Sequence, residues 1–179
     1  MKKVIVLSSS PRKGGNSDTL CDKFIEGAVS AGHDAEKIFL REKAIHPCMG
    51  CGYCTNNNYS GCAKADDMDI ILDKMMNSDV IVFATPVYFY TMSGQLKIFI
   101  DRMCAQYTRI KDKDYYFIMT AMAREPETVQ YVLGEFKGLL SCLPGSNDKG
   151  YLFAGGVWHK GDINDTEYLQ RAYDMGKNI

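Results

Sequence analysis

Short apolar segments alternate along the chain with segments in which apolar residues recur every three or four positions. The short segments are typical of strands buried on both faces, and the recurring positions are typical of amphipathic helices. Five strands are predicted on this basis, at residues 4–7, 38–40, 80–84, 115–119 and 151–154. Such alternation indicates an α/β fold with a parallel sheet.

The segments between and after these strands predict five helices. They begin near Ser17, Met68, Ser93, Pro126 and Asn164. Gly32 is a plausible end for the first helix, while Asp66 and Asp67 are placed to cap the second. Pro144 and Gly145 end the fourth. Five strands, each followed by a helix, predict a flavodoxin-like three-layer sandwich with a five-stranded parallel sheet of order 2-1-3-4-5. Other orders of five strands are compatible with the pattern alone.

Composition is consistent with a single domain over residues 1–179. The chain is 46% hydrophobic and 24% charged, with a formal net charge of -1. This charge provides no basic field for nucleic acid, and no segment approaches the roughly 20 apolar residues that cross a bilayer. We therefore expect a cytoplasmic protein with a small ligand and neither a nucleic-acid nor a membrane partner.

The loop after the first strand, residues 8–17, combines hydroxyls, a guanidinium, an amide and glycines at the start of a helix. Free N–H groups and the helix dipole favour an anion there. Arg12 can supply charge, and Ser10, Asn16 and Ser17 can supply neutral donors. A solvated turn with a Ser or Asn cap is the alternative. Neither G-x-x-x-x-G-K-[ST] nor G-x-G-x-x-G is present, so a mononucleotide such as FMN suits this loop better than the nucleotides those motifs bind.

The loop after the third strand, residues 85–94, contains Tyr88, Phe89 and Tyr90. Ligands of doubly wound sheets bind beyond the carboxyl ends of the strands. Aromatic side chains at that edge could lie beside a flat heterocycle. Packing against the following helix or against a subunit partner is the alternative.

Taken together, residues 10–17 (SPRKGGNS), residues 85–89 (TPVYF) and residues 93–102 (SGQLKIFIDR) resemble the NADPH-dependent FMN reductase family. The resemblance implies a set of FMN contacts. The phosphate would be bound by Ser10, Arg12, Asn16 and Ser17, and the isoalloxazine ring by Pro86, Val87, Tyr88 and Phe89. Residues 120–124, beginning with Thr120, could complete the flavin site. The resemblance also implies NAD(P)H as electron donor and a homodimer or homotetramer, in which Trp158, His159 and Lys160 could contribute across the interface.

A cysteine-rich loop occupies about residues 46–63, between the second strand and the second helix. Its four cysteines, in a C-x2-C-x2-C-x7-C arrangement, are Cys48, Cys51, Cys54 and Cys62. Gly50, Gly52 and Gly61 let the backbone fold around one centre. The spacing favours a [4Fe–4S] cluster, and it resembles the motif of the iron-sulfur branch of the same family. A four-cysteine zinc site and a loop of reduced or oxidised thiols are the alternatives.

The other three cysteines, Cys21, Cys104 and Cys142, have apolar neighbours on helical segments and are predicted to be core residues.

These features favour an FMN-dependent oxidoreductase that passes electrons from NAD(P)H to an unidentified small-molecule or protein acceptor. The cofactor itself performs the chemistry, so no catalytic side chain is assigned. The alternative is an iron-sulfur flavoprotein that transfers electrons with ferredoxin-like partners. A non-catalytic module that senses redox state through its cysteines is a third hypothesis.

Overall fold

The computed structural model describes residues 1–179 and contains six strands and six α-helices. The strands are β1 (Lys3–Ser8), β2 (Asp34–Phe39), β3 (Val80–Tyr88), β4 (Thr91–Met92), β5 (Asp114–Ala121) and β6 (Asn147–Gly155). The helices are α1 (Asn16–Ser30), α2 (Tyr53–Asn56), α3 (Met68–Met76), α4 (Gly94–Met103), α5 (Gln130–Cys142) and α6 (Tyr168–Lys177). Three 3₁₀ turns lie at Leu40–Glu42, Tyr107–Arg109 and Pro126–Val129.

Five strands form one parallel sheet in the order β2-β1-β3-β5-β6. This order confirms the predicted flavodoxin-like topology, in which β5 and β6 are the fourth and fifth predicted strands. The additional strand, β4, pairs antiparallel with the end of β3. It has only two residues, too few to show a period in the sequence.

The edge strands are longer than the apolar pattern predicts. Strand β2 begins at Asp34 and alternates exposed and less exposed residues over its first four positions. Strand β6 begins at Asn147, where its first residues are exposed. An edge strand is only partly covered, so its ends carry polar residues and give no apolar signal.

Helices cover both faces of the sheet and form two cores. A 24-residue core includes buried residues of α3, α4 and α5, and a 15-residue core includes those of α1 and α6. Helices α1 and α6 cross closely at Gly27 and Gly176. A Cβ at Gly27 would overlap the backbone of Tyr173, and one at Gly176 would overlap the backbone of Phe24.

Two helix starts differ from the sequence prediction. Helix α6 begins at Tyr168 rather than near Asn164, and a 3₁₀ turn separates Pro126 from α5. None of the helices combines the length and the apolar composition needed to cross a bilayer.

Candidate functional site

The loops that follow β1 and β3 lie against each other because these two strands are neighbours in the sheet. The Ser9 hydroxyl donates to the Ala84 carbonyl over 2.8 Å, and the Ser93 hydroxyl donates to Ser9 Oγ over 2.9 Å. The Ser93 amide donates to Thr85 Oγ1 over 2.9 Å. Ser9, Thr85 and Ser93 are buried. These bonds hold the two predicted cofactor loops in a fixed relation.

A narrow groove of about 50 Å³, here called the loop groove, lies between these loops and the ends of β5 and β6. It brings together eight of the nine residues predicted to bind FMN: Ser10, Arg12, Asn16, Ser17, Pro86, Val87, Tyr88 and Thr120. Phe89 is the exception. It lies outside the loop groove at the tip of the β3–β4 hairpin, where its side chain is 99% exposed.

The hairpin tip has an unusual backbone for aromatic residues. Phe89 has φ +50° and Tyr90 has φ +66°. Two successive positive φ values are characteristic of a type I′ turn, which normally selects Asn or Gly. The turn places Phe89 at the hairpin tip, where it is almost fully exposed.

The N-terminus of α1 borders the loop groove and has no side-chain cap. Its N-cap residue is Gly15, which has no side chain to accept from the first-turn N–H groups. Uncapped N–H groups and the helix dipole attract an anion, and the Arg12 guanidinium borders the same groove. This end of the groove therefore fits a phosphate group.

The buried Asp18 carboxylate holds the first-strand loop through hydrogen bonds, a role that was not predicted from the sequence. It accepts from Gly14 N over 2.8 Å, from the Ser8 hydroxyl over 3.1 Å and from Lys37 Nζ over 2.8 Å. Burial alone would raise the pKa of Asp18, but the bonds from Lys37, Gly14 and Ser8 outweigh it and keep the pKa below its usual value of 3.8. In sequence, Asp18 looks like any acidic residue in a first helical turn.

The segment after β6 folds over the first-strand loop of its own chain. Arg12 Nη1 donates to the Trp158 carbonyl over 2.8 Å, and Asn16 Nδ2 donates to the His159 carbonyl over 2.9 Å. The Asp162 carboxylate accepts from the amides of Trp158 and His159 over 2.8 and 2.7 Å. Trp158 and His159 therefore contact residues of the predicted phosphate site within one chain, and Trp158 lines the loop groove.

A second cavity, of about 240 Å³, is lined by all four motif cysteines and is here called the cysteine pocket. Its wall also contains Cys104 and Arg102. As placed, no three Cys, His, Asp or Glu side chains converge closely enough to hold one metal ion. A zinc site needs such convergence, whereas the ligands of a four-iron cluster each bind a different iron.

Arg102 is the most buried charged residue of the cysteine pocket, with a side chain 1% exposed. Its two Nη atoms donate to the Asp66 carboxylate over 2.8 and 3.0 Å, and Nη1 also donates to the His46 carbonyl over 2.8 Å. The hydrogen bond to Asp66 is the main cause that holds the pKa of Arg102 above its usual value, and Cys62 contributes. Arg102 Nε is buried without a hydrogen-bond partner. A buried cation in the wall of a pocket with five thiols fits an anionic group such as an iron-sulfur cluster.

Two of the three cysteines predicted to be core residues are exposed, which corrects that prediction. Cys21 is buried, but Cys104 and Cys142 are exposed. Cys104 is the C-cap of α4 and Cys142 is the last residue of α5, so both lie where the buried stripe of the helix ends. Cys104 as a whole is exposed, but its thiol is partly removed from water; this lost hydration, and then the neighbouring Cys54, raise the pKa of that thiol.

Comparison with known proteins gives a family match over most of the chain. Residues 2–137 match the family model described as NADPH-dependent FMN reductase. An iron-sulfur flavoprotein of Methanocaldococcus jannaschii is 40% identical over 185 residues, which span 99% of this chain and 95% of that protein. One from Archaeoglobus fulgidus is 31% identical over 180 residues, which span 99% of this chain and 78% of that protein.

Solved structures match the fold as well. The Trp repressor binding protein of Bacillus subtilis aligns with a TM-score of 0.66 at 27% identity, over 96% of this chain and 98% of that one. The NAD(P)H:quinone oxidoreductase of Methanothermobacter marburgensis aligns with a TM-score of 0.76 at 18% identity, over 99% of this chain and 95% of that one. At 18% identity the second likeness concerns the fold alone.

Proposed function

The chain belongs to the NADPH-dependent FMN reductase family, whose members are flavin-dependent NAD(P)H oxidoreductases, and from that premise we propose that it binds FMN in the loop groove and passes electrons from NAD(P)H to an acceptor. We propose that residues 1–179 form a single flavodoxin-like FMN-binding domain. The observation that carries the proposal is the meeting of an uncapped helix N-terminus with residues 86–88 in one groove.

The phosphate end of the site consists of Ser10, Arg12, Asn16 and Ser17. The free N–H groups of α1 and the Arg12 guanidinium supply positive potential, and the hydroxyls and the amide supply neutral donors. Arg12 and Asn16 donate to the carbonyls of Trp158 and His159. Both donors exchange these carbonyls for phosphate oxygens when FMN binds.

The ring end of the site consists of Pro86, Val87, Tyr88 and Thr120, with Phe89 at its outer margin. When bound, FMN accepts a hydride and releases its electrons one or two at a time. The protein orients the ring and excludes water from it, and we assign no side chain an acid or base role.

A [4Fe–4S] cluster in the cysteine pocket is the second part of the proposal, with Cys48, Cys51, Cys54 and Cys62 as ligands. Two observations favour it: the four thiols share one cavity, and the buried cation Arg102 lines the same cavity. The two relatives named above carry the name iron-sulfur flavoprotein. A cluster supplies one-electron chemistry, so electron transfer with ferredoxin-like proteins is the alternative function. The group of free thiols favours a reducing compartment, the cytoplasm.

A homodimer or homotetramer is the proposed assembly. Large apolar side chains are exposed around the mouth of the loop groove, and a monomer rarely exposes such a group without a partner. Phe89, Tyr90, Met122, Tyr131 and Trp158 are 99%, 58%, 64%, 62% and 51% exposed.

The test of function starts with protein purified without oxygen. Its absorption spectrum, iron and acid-labile sulfide are measured, and NADPH, NADH or a reduced ferredoxin is then added. Flavin absorption that bleaches with NAD(P)H supports the reductase. About four irons per chain, with bleaching by ferredoxin but not by NAD(P)H, support the electron-transfer alternative. Absence of flavin would contradict the proposal.

Arg12→Ala tests where FMN binds. Loss of a charge-assisted hydrogen bond of roughly 1.5–3 kcal/mol raises the Kd for FMN about 10- to 150-fold. Lys13→Ala is the matched control, because Lys13 carries the same charge one residue away but is 75% exposed and pairs with Glu42. FMN affinity is measured by fluorescence quenching. Equal affinity in both variants and the wild type would show that the FMN phosphate does not bind to this loop.

A further inference from the structure

Cys104 lies in the wall of the cysteine pocket although it is not part of the spaced motif. Its Sγ is 3.9 Å from Cys54 Sγ, and the Cys54 thiol donates a hydrogen bond to it. Cys48, Cys51 and Cys62 line the same pocket. The pocket therefore contains five thiols, one more than a four-iron cluster binds.

We propose that Cys54 and Cys104 are a redox-modification site that peroxides convert to a disulfide. The proposal goes beyond the proposed function, since it concerns thiols alone and requires neither FMN nor a cluster.

The geometry favours this pair. A disulfide needs a separation of about 2.05 Å, so the two sulfurs must approach by roughly 2 Å, a distance that rotation of the side chains can supply. Cys104 is held at the end of α4, which is anchored by the buried residues Phe99 and Met103. Cys54 lies on the four-residue helix α2, and both cysteines line the same cavity. Cys104 is exposed, so a small oxidant can reach it.

The chemistry balances with hydrogen peroxide as the oxidant. Peroxide first oxidises one thiol to a sulfenic acid and releases one water. The second thiol then attacks that sulfur, the S–S bond forms, and the hydroxyl leaves as a second water. Two thiols lose two electrons in total, and one peroxide molecule gains them.

One consequence rests on the proposed function. If Cys54 is a cluster ligand, the disulfide removes it from the ligand set, and only three motif cysteines remain. An oxidised chain would then bind no complete [4Fe–4S] cluster until a thiol reductant opened the bond. The disulfide is thus a reversible resting state for a pocket that has lost its cluster.

The test uses the full chain after removal of iron with a chelator and of reductant by gel filtration. One equivalent of hydrogen peroxide is added, and the remaining thiols are alkylated. The protein is then digested with a protease that cleaves after tyrosine, and the peptides are analysed by mass spectrometry. Cleavage after Tyr53 and Tyr59 places Cys54 on a peptide that contains none of the other motif cysteines. We expect a loss of about two thiols per chain and a peptide of residues 54–59 linked to a peptide that contains Cys104.

Two variants make the result specific. Cys104→Ser should lose the cross-link, while Cys142→Ser, which removes an exposed cysteine at the end of α5, should keep it. Cross-links confined to residues 48–62, or no cross-link in the folded wild-type protein, would overturn the proposal.

A second measurement separates this proposal from the cluster. Peroxide-treated protein is incubated with Fe²⁺ and sulfide, with and without a thiol reductant. The wild type should take up iron only after reduction, and Cys104→Ser should need less reductant. If untreated protein takes up no iron at all, the cluster is refuted, while the mass spectrum still decides the disulfide.

Discussion

Asp18 carries a charge that the fold removes almost completely from water, since its side chain is 4% exposed. Lys37 and the amide of Gly14 compensate for the lost hydration. The pKa of Asp18 is therefore lower in the folded chain than in the unfolded one. A carboxylate with a lowered pKa stabilises the fold above its unfolded pKa, and this stabilisation is lost as the pH falls through the folded value.

Asp18→Asn should make unfolding less dependent on pH in the acid range. For the wild type we expect a constant contribution at neutral pH and a loss that begins near pH 3.8, the usual pKa of this group. The variant should be about 1–3 kcal/mol less stable at pH 7 and should lose less stability on acidification. Urea unfolding at several pH values measures both effects.

Asp22→Asn is the control, since Asp22 also pairs with Lys37 but is 61% exposed. Because of this exposure, the variant should lose less stability at pH 7 than Asp18→Asn does. A pH profile for Asp18→Asn that follows the wild type would show that Asp18 contributes no such linkage.

Arg12, Asn16 and Ser17 could be assigned to one end of the loop groove because they precede or begin one helix, so a short segment contains their signal. Val157 also lines the groove, but only the fold brings it there. Arg102 could not be predicted, because its partner Asp66 is 36 positions away and only the fold brings the two together. Asp66 was predicted as a helix cap, and it does accept from Met68 N over 3.1 Å. No pattern in the sequence indicates that Asp66 also forms the ion pair with Arg102.

Helices α1 and α6 approach so closely that only glycine fits at the contact. Gly27→Ala should therefore destabilise the protein by about 1–3 kcal/mol, since its Cβ meets the backbone of Tyr173 rather than a flexible side chain. The free energy of unfolding from chemical denaturation measures the effect.

Gly138→Ala is the matched control in α5. A Cβ at Gly138 meets no atom within 4 Å, so the same substitution should stabilise the chain by roughly 0.5–1 kcal/mol through helix propensity. Opposite signs at the two sites are expected. Stabilisation at both would show that α1 and α6 can separate without cost.

Elements were predicted best where a long period repeats and worst at their ends. The five main strands and the main helices were visible as apolar patterns, whereas β4 has two residues and α2 has four. The error at Cys104 has the same origin. Apolar neighbours predicted burial, but the buried stripe of α4 ends at Met103.

On the whole molecule, four of the exposed aromatic residues lie in or next to the loops that form the loop groove: Tyr88, Phe89, Tyr90 and Trp158. If a second copy covers them, Phe89→Ser should shift the sedimentation coefficient toward that of a monomer, because Phe89 is 99% exposed and makes the hairpin tip. Ile70→Ser is the control, since Ile70 is 62% exposed on α3. A wild type that sediments as a monomer would contradict the proposed assembly.

The parallel sheet could be predicted because strand and helix signals alternate, whereas its strand order was only favoured, since right-handed crossovers allow more than one order. The electron acceptor could not be predicted, since no motif for a second substrate accompanies the cofactor loops. Phe89 lies outside the loop groove because positive φ angles place it at the tip of a tight turn. This position could not be predicted, because the residue types do not indicate those backbone angles.

The contact between α1 and α6 joins a helix that is synthesised early in translation to one that is synthesised late. At about 5–20 residues per second, α6 leaves the ribosome on the order of ten seconds or more after α1. Until then the surface of α1 around Gly27 lacks the cover that α6 provides, although sheet residues of the same core can already pack against Leu20 and Phe24. A pause in translation before α6 would therefore leave this part of α1 exposed to water.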